Sequence, residues 1–186
     1  MKRRSERGFT MIEMVMVIVA VGIIGSMAAT MLFQGADIFV SETNRQGFVS
    51  ESRSAFWRLM RDTQGQSSPT DFTFSDQNSL YVNNSNNEFR DFQTSSSGNF
   101  TFRRGSGSYN SLSSSIGFSQ SNGFTYYNNN FTIVSPTSGG LTAAQAKTIH
   151  LSKLDLTFIN DKDTLSLSTF VYPNNFKFGN KMSYHN

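Results

Sequence analysis

One carboxylate stands inside an otherwise apolar stretch. Residues 9–33 read FTMIEMVMVIVAVGIIGSMAATMLF, and Glu13 is their one charged side chain. An acid held in hydrocarbon costs about 2.5–3.5 kcal/mol on insertion scales, so a residue kept there at that cost is a functional candidate and needs a partner. A buried ammonium suits it, because the pair is tolerable where either ion alone is not. Other residues able to do chemistry are poorly placed for it. His150 and His185 are the two histidines. One sits in a strand-like run and the other beside the end of the chain, and neither has a neighbour at metal-ligand or triad spacing. Asp155, Asp161 and Asp163 offer oxygen ligands to Ca²⁺, but their spacing matches no EF-hand loop, so a solvated hairpin tip is expected. Ser113-Ser114-Ser115 lacks the G-x-S-x-G setting of an activated serine, and no glycine-rich phosphate loop is present. The absence of cysteine excludes disulfides, thiolate metal sites and a cysteine nucleophile. The chain is therefore expected not to be an enzyme and to hold neither metal nor cofactor.

The element that must carry Glu13 is a helix. Residues 9–33 as a helix are about 37 Å long at about 1.5 Å per residue, enough to cross a hydrocarbon core of roughly 30 Å. Lys2, Arg3, Arg4 and Arg7 precede it with one acid, Glu6. The positive-inside rule keeps that end cytoplasmic. Asp37 and Glu42 follow on the other side, so the remainder is exported. The leader carries much of the net charge of +3, and beyond Gly8 the chain is near neutral, which does not suit a nucleic-acid binder. Three readings fit this segment: a plain transmembrane anchor, a secretory signal cut after Ala28 in Ser26-Met27-Ala28, or the leader and anchor of an assembling subunit. Glu13 separates them, since an anchor or a signal peptide gains by losing it.

The residues Arg7-Gly8-Phe9-Thr10-Met11-Ile12-Glu13-Met14 resemble the prepilin cleavage and methylation motif of type IV pilins and type II secretion pseudopilins. The resemblance implies that a membrane-embedded prepilin peptidase cuts between Gly8 and Phe9 and methylates the new amino group of Phe9. It further implies that Glu13 attracts that amino group on a neighbouring subunit during assembly. The chain departs from the family in one respect. Many members carry a proline late in the apolar helix, whereas here none precedes Pro69, and Gly22, Gly25 and Gly35 are the weak points.

The helical pattern continues past the apolar run. Ser52, Ala55, Phe56, Leu59, Met60 and Thr63 fall at i, i+3, i+4, i+7 spacing on one face, with Arg53, Arg58, Arg61 and Asp62 elsewhere. Gly65 and Pro69 supply the stop. A single helix from Phe9 to Gln64 would be about 83 Å long. Gly47 marks either a bend or a tolerated surface glycine. The charged segment Arg53–Asp62 reads as a subunit-docking face or as the solvated side of an amphipathic helix. Trp57 is expected to pack in the core or at an interface.

From Thr70 onward, short alternating runs are separated by Asn, Ser and Gly tracts. The expected strands are Asp71–Ser75, Ser79–Asn83, Glu88–Gln93, Asn99–Arg104, Ser115–Gln120, Gly123–Asn128, Lys147–Ile159 and Thr164–Tyr172. Thr142–Lys147 is expected to form one helical turn, and Asn160-Asp161-Lys162-Asp163 a hairpin turn. With 18 Phe in the chain, the core of this part is largely aromatic. The fold class is α+β: a leader (1–8), a membrane or filament-core helix (9–33), its amphipathic continuation (34–65) and a β-rich exported domain (66–186) packed on that helix.

This half also resembles minor pseudopilins of the J type and minor pilins of the PilW and mannose-sensitive haemagglutinin kinds. The resemblance rests on Phe72-Thr73-Phe74-Ser75-Asp76, Leu80-Tyr81-Val82, Leu112 through Phe118, Gly123-Phe124-Thr125-Tyr126-Tyr127, Ile149 through Phe158, and Val171-Tyr172-Pro173-Asn174-Asn175-Phe176. Asn174 stands where arginine is common. The implied function is structural. A minor subunit is cleaved and N-methylated, lodges in the bacterial inner membrane with a cytoplasmic N-terminus and a periplasmic domain, and joins other subunits in a type II pseudopilus or type IV pilus. The rivals are a major pilin or adhesin, a membrane-anchored exported binding domain that never polymerises, and a secreted β-protein.

Overall fold

The computed structural model describes residues 8–84, 88–95, 98–114, 123–160 and 162–174. The leader up to Arg7, the expected strand Ser115–Gln120, and Asp161, Asn175, Phe176 and His185 lie outside the described residues. The chain forms two compact units, Met1–Gln46 and Gly47–Asn186.

The first unit is the start of helix α1, which spans Met11–Gln64 and is hydrogen-bonded without a break through Gly47. Its apolar side chains are exposed: Ile12, Ile18, Ile24 and Phe33 are among them. The hydroxyls of its apolar run are satisfied locally. Ser26 donates to the Ile23 carbonyl at 2.8 Å and Thr30 to the Ser26 carbonyl at 2.7 Å. That self-sufficiency is what hydrocarbon demands of a spanning segment.

In the second unit, the remainder of α1 buries Phe48, Ser52, Ala55, Phe56, Leu59, Asp62 and Thr63, with Met60 partly covered. The periodic face read from the sequence is thus the one that packs. Asp62 belongs to it as well, which corrects its expected place off that face. Arg90 on the neighbouring sheet forms an ion pair with its carboxylate, so burial is possible.

Gly65, Gln66 and Ser67 end the helix and tie it to the first strand: the Gln66 side chain accepts the Asn83 N–H at 3.1 Å, and Ser67 N–H donates to the Asn83 carbonyl at 2.8 Å. A 3-10 turn, Pro69–Phe72, follows where a strand Asp71–Ser75 was expected. Local chemistry overrides the alternation there. Ser68 is the N-cap, Pro69 fixes the first helical position, and Asp71 Oδ2 accepts the Ser68 N–H at 3.1 Å. Phe72 is consequently buried while Phe74, at φ +69, is exposed.

Two four-stranded antiparallel sheets make up the rest. The first has the order β1 (Ser79–Asn83), β2 (Phe89–Thr94), β3 (Phe100–Arg104), β4 (Asn110–Ser113). The second has the order β6–β5–β7–β8, from β5 (Gly123–Asn128), β6 (Ile133–Val134), β7 (Ile149–Ile159) and β8 (Thr164–Val171). Helix α2 (Ala143–Ala146) precedes β7, capped by Thr142 and Gln145 as the Thr142–Lys147 turn suggested. In β7, Leu154, Leu156 and Phe158 are buried between the half-exposed Lys153, Asp155 and Thr157. Strands β4 and β6 were not anticipated: one holds a single apolar side chain and the other spans two residues.

One core joins α1 to both sheets through Phe56, Leu59, Leu80, Phe92, Phe100, Phe124, Tyr126 and Leu156. Its rings meet in offset pairs: Phe92 and Phe100 stack at 6.0 Å, and Phe72 meets Tyr126 edge-on at 5.6 Å. Tyr126 is fully buried and its hydroxyl bonds to the Asp76 carbonyl at 3.0 Å, so the second sheet is fastened to the loop leading into β1.

Candidate functional site

Gly8 and Phe9 precede α1 and are exposed. Nothing lies within 4 Å of where a Gly8 Cβ would stand, and its backbone is not left-handed. The described fold therefore makes no demand for glycine at this position. Phe9 is 81% exposed, so the Gly8–Phe9 peptide bond is open to attack from outside.

Glu13 occupies the first turn of α1. Its Oε2 accepts both the backbone N–H and the hydroxyl of Thr10, each at 2.9 Å. The N–H groups of Glu13 and Met14 in turn donate to the Thr10 carbonyl at 3.1 and 3.3 Å. Thr10-Met11-Ile12-Glu13 is thus a T-x-x-E helix start in which the acid satisfies a donor that the helix leaves orphaned. Sequence reasoning singled out Glu13 and missed Thr10. The signal was present in the spacing, but the apolar run drew attention to a charge without a partner. The carboxylate also stands at the positive end of the helix dipole, where negative charge is favoured.

The other candidate groups are engaged structurally. His150 packs edge-on against Tyr172 with ring centroids 5.5 Å apart. Asp155 accepts from Lys153 Nζ at 2.7 Å, and Asn160 and Asp163 close the β7–β8 hairpin through paired backbone bonds. Among the described residues, no cluster of histidine and acidic side chains could hold a metal ion. A buried polar group on the outer face of the first sheet has the same character. Asp91 is fully buried and bonded to Arg103 at 2.8 Å and to the Tyr109 hydroxyl. Burial and that bond to a carboxylate push the Tyr109 hydroxyl up to about 12, so it stays a donor and seals the acid off from water. Trp57 is 63% exposed, which removes the expectation of a core role and leaves the interface one.

Helix α1 is long and apolar enough to cross a membrane. Residues 3–29 match the family model for the prokaryotic N-terminal methylation motif. No curated protein and no solved structure matches the chain. That motif is the site at which prepilin peptidase cleaves and methylates. A methylation motif opening a long apolar helix that leads into antiparallel sheets fits a type IV pilin or pseudopilin, anchored in a membrane by that helix.

Proposed function

We propose that this chain is a minor pilin or pseudopilin precursor, a structural subunit with no catalysis of its own. Prepilin peptidase cuts between Gly8 and Phe9 and methylates the Phe9 amine. The mature chain waits in the bacterial inner membrane with residues 9–33 in lipid, residues 34–65 as the amphipathic continuation and residues 66–186 exported. It then joins other pilin or pseudopilin subunits in a type II pseudopilus or type IV pilus. The observation that carries this reading is the match of residues 3–29 to the methylation motif, with Glu13 in the first helical turn. Resemblance to the J-type and PilW-type subunits, and an exported domain of two sheets, favour a minor over a major subunit.

Glu13 has a defined task in this account. Uncut, it caps its own helix through Thr10. Cleavage adds an ammonium at Phe9, and in a filament the same group of a neighbouring chain becomes the partner that makes the acid tolerable in an apolar core. Glu13→Ala is expected to insert into the membrane as well as wild type or better, and to lose incorporation into filaments at least tenfold, measured by immunoblotting sheared filaments against membranes. Normal incorporation of the variant removes Glu13 from the mechanism.

The hydrogen bonds from Thr10 support a second reading. If Thr10 alone is partner enough, the chain is an anchored exported binding domain. Wild type is then found in the membrane fraction and never in filaments.

A further inference from the structure

A sheet edge is a row of backbone donors and acceptors that a protein either closes or leaves to another strand. Among the described residues, the two sheets have four edges: β1, β4, β6 and β8. Three are closed or short. Along β1, the Ser79 carbonyl accepts the Asp76 N–H at 2.8 Å, and the Tyr81 N–H donates to Ser75 Oγ at 2.9 Å. Gln66 and Ser67 take the Asn83 N–H and carbonyl. Strand β4 has four residues and shifts register against β3, and the next N–H, of Ser114, donates to Glu51 on α1 at 3.2 Å. Strand β6 has two residues, and the Ser135 carbonyl beyond it accepts from Gln145 at 2.9 Å.

Strand β8 is different. Its eight residues pair with β7 in unbroken register from Thr164 to Val171. Antiparallel pairing uses the backbone groups of every second residue and turns the others outward. Among the described residues, no hydrogen bond from another element reaches that outward row. The strand also lacks the usual guards of an edge: it has no charge, no proline and no bulge. Buried Pro173 and a helical turn at Asn174 follow, so the described chain does not double back along β8. The core side is unfinished as well. Leu156 and Phe158 on β7 are fully buried, while their β8 partners Leu167 and Leu165 pack on the same core but are only partly covered. One more strand would cover them.

We propose that β8 binds an extended segment of a second protein as a fifth strand of this sheet. Unpaired backbone groups at every second residue are matched by another backbone and not by a saccharide or a lipid, which fixes the class of partner. The segment carries apolar side chains at alternate positions, closing over Leu165 and Leu167. Small or polar ones lie between them, level with Ser166 and Ser168. That the strand comes from a different protein, and not from a second copy, rests on the reading of this chain as a minor subunit among others. The open edge itself does not.

The probe is a short synthetic peptide of alternating threonine and valine with a lysine at each end, added to the full chain in detergent. Amide hydrogen exchange along β8 is followed by NMR. Alternate β8 amides are expected to exchange fast in the free chain and to slow at least tenfold when the peptide binds. Peptides N-methylated at every second residue separate backbone pairing from apolar contact. One register of methyl groups should abolish the slowing, and the other should leave it. Ser166→Lys with Ser168→Lys guards the edge and should weaken the peptide at least fivefold without changing the melting temperature, since both serines are exposed. In cells that make the protein, a photo-crosslinking residue in place of Ser168 is expected to join a protein other than this chain, and Ser166→Lys to reduce that adduct at least fivefold. The inference is overturned if every β8 amide is already slow in the free chain, if none slows with the peptide, or if both methylated peptides bind like the parent. A homodimer adduct, or none, overturns it too. Absence of the chain from filaments, with an adduct to another protein retained, overturns the filament reading and leaves this inference standing.

Discussion

Asp62 sits with its side chain almost wholly covered, held by Arg90 from β2, whose other guanidinium nitrogen reaches Glu88 at 3.1 Å. Two effects oppose each other there. Burial raises the carboxyl above its ordinary value, while the charges of Arg90, Arg58 and Arg61 pull it down, and the net direction is upward. A folded value above the unfolded one means that the folded chain binds the proton more readily. The contribution of Asp62 is then fully present below the unfolded value of about 3.9 and is lost as pH rises through the folded value. Asp62→Asn lacks this titration. Its melting temperature relative to wild type is expected to rise between about pH 4 and pH 7, read by circular dichroism of the full chain in detergent. A relative fall over that window would mean that the ion pair outweighs burial. Glu13 and Asp62 also show where sequence reading runs out at this scale. A charge within an apolar run is visible, but whether a neighbour three residues away or a sheet far along the chain receives it depends on side-chain placement.

At the scale of elements, α1 was the most legible part, because a 3.6-residue period continued for many turns leaves little ambiguity. Strands β1 and β5 match their expected limits, and β2, β3, β7 and β8 lie within two residues of theirs. The segment Asp71–Ser75 failed because alternation in five residues is weaker than a complete Ser-Pro-x-Asp cap. Nor was the connection between the sheets legible, since it depends on close backbone approach. Gly140 has φ +88, and a Cβ there would overlap the Phe74 carbonyl, beside the paired bonds that Leu141 makes with Phe74 and Ser75. Gly140→Ala is therefore expected to cost about 1–3 kcal/mol. Gly139→Ala, which meets open space, should stay within about 0.5 kcal/mol. Chemical denaturation of both variants checks the contrast, and equal costs would remove the close approach as its cause.

At the scale of the whole molecule, one sequence serves two solvents. The first unit leaves its apolar side chains outward, and Thr10, Ser26 and Thr30 in its apolar run are hydrogen-bonded locally, as a lipid setting would require. The second covers Phe56, Leu59, Phe92 and Tyr126 in an aqueous core. Composition shows apolar residues concentrated before Gly35 and Ser, Asn and Thr dominant beyond Thr63, whereas the two compact units meet between Gln46 and Gly47. The assembly proposed above is not written in one chain, since it would depend on neighbours that cover the outward-facing helix. Processing at Gly8 is the event on which the proposed assembly turns. It is tested most directly by intact-mass and N-terminal peptide mass spectrometry of the protein purified from the cells that make it. A chain beginning at N-methylated Phe9 is expected. A chain that retains Met1, or one that begins at Ala29, contradicts the account.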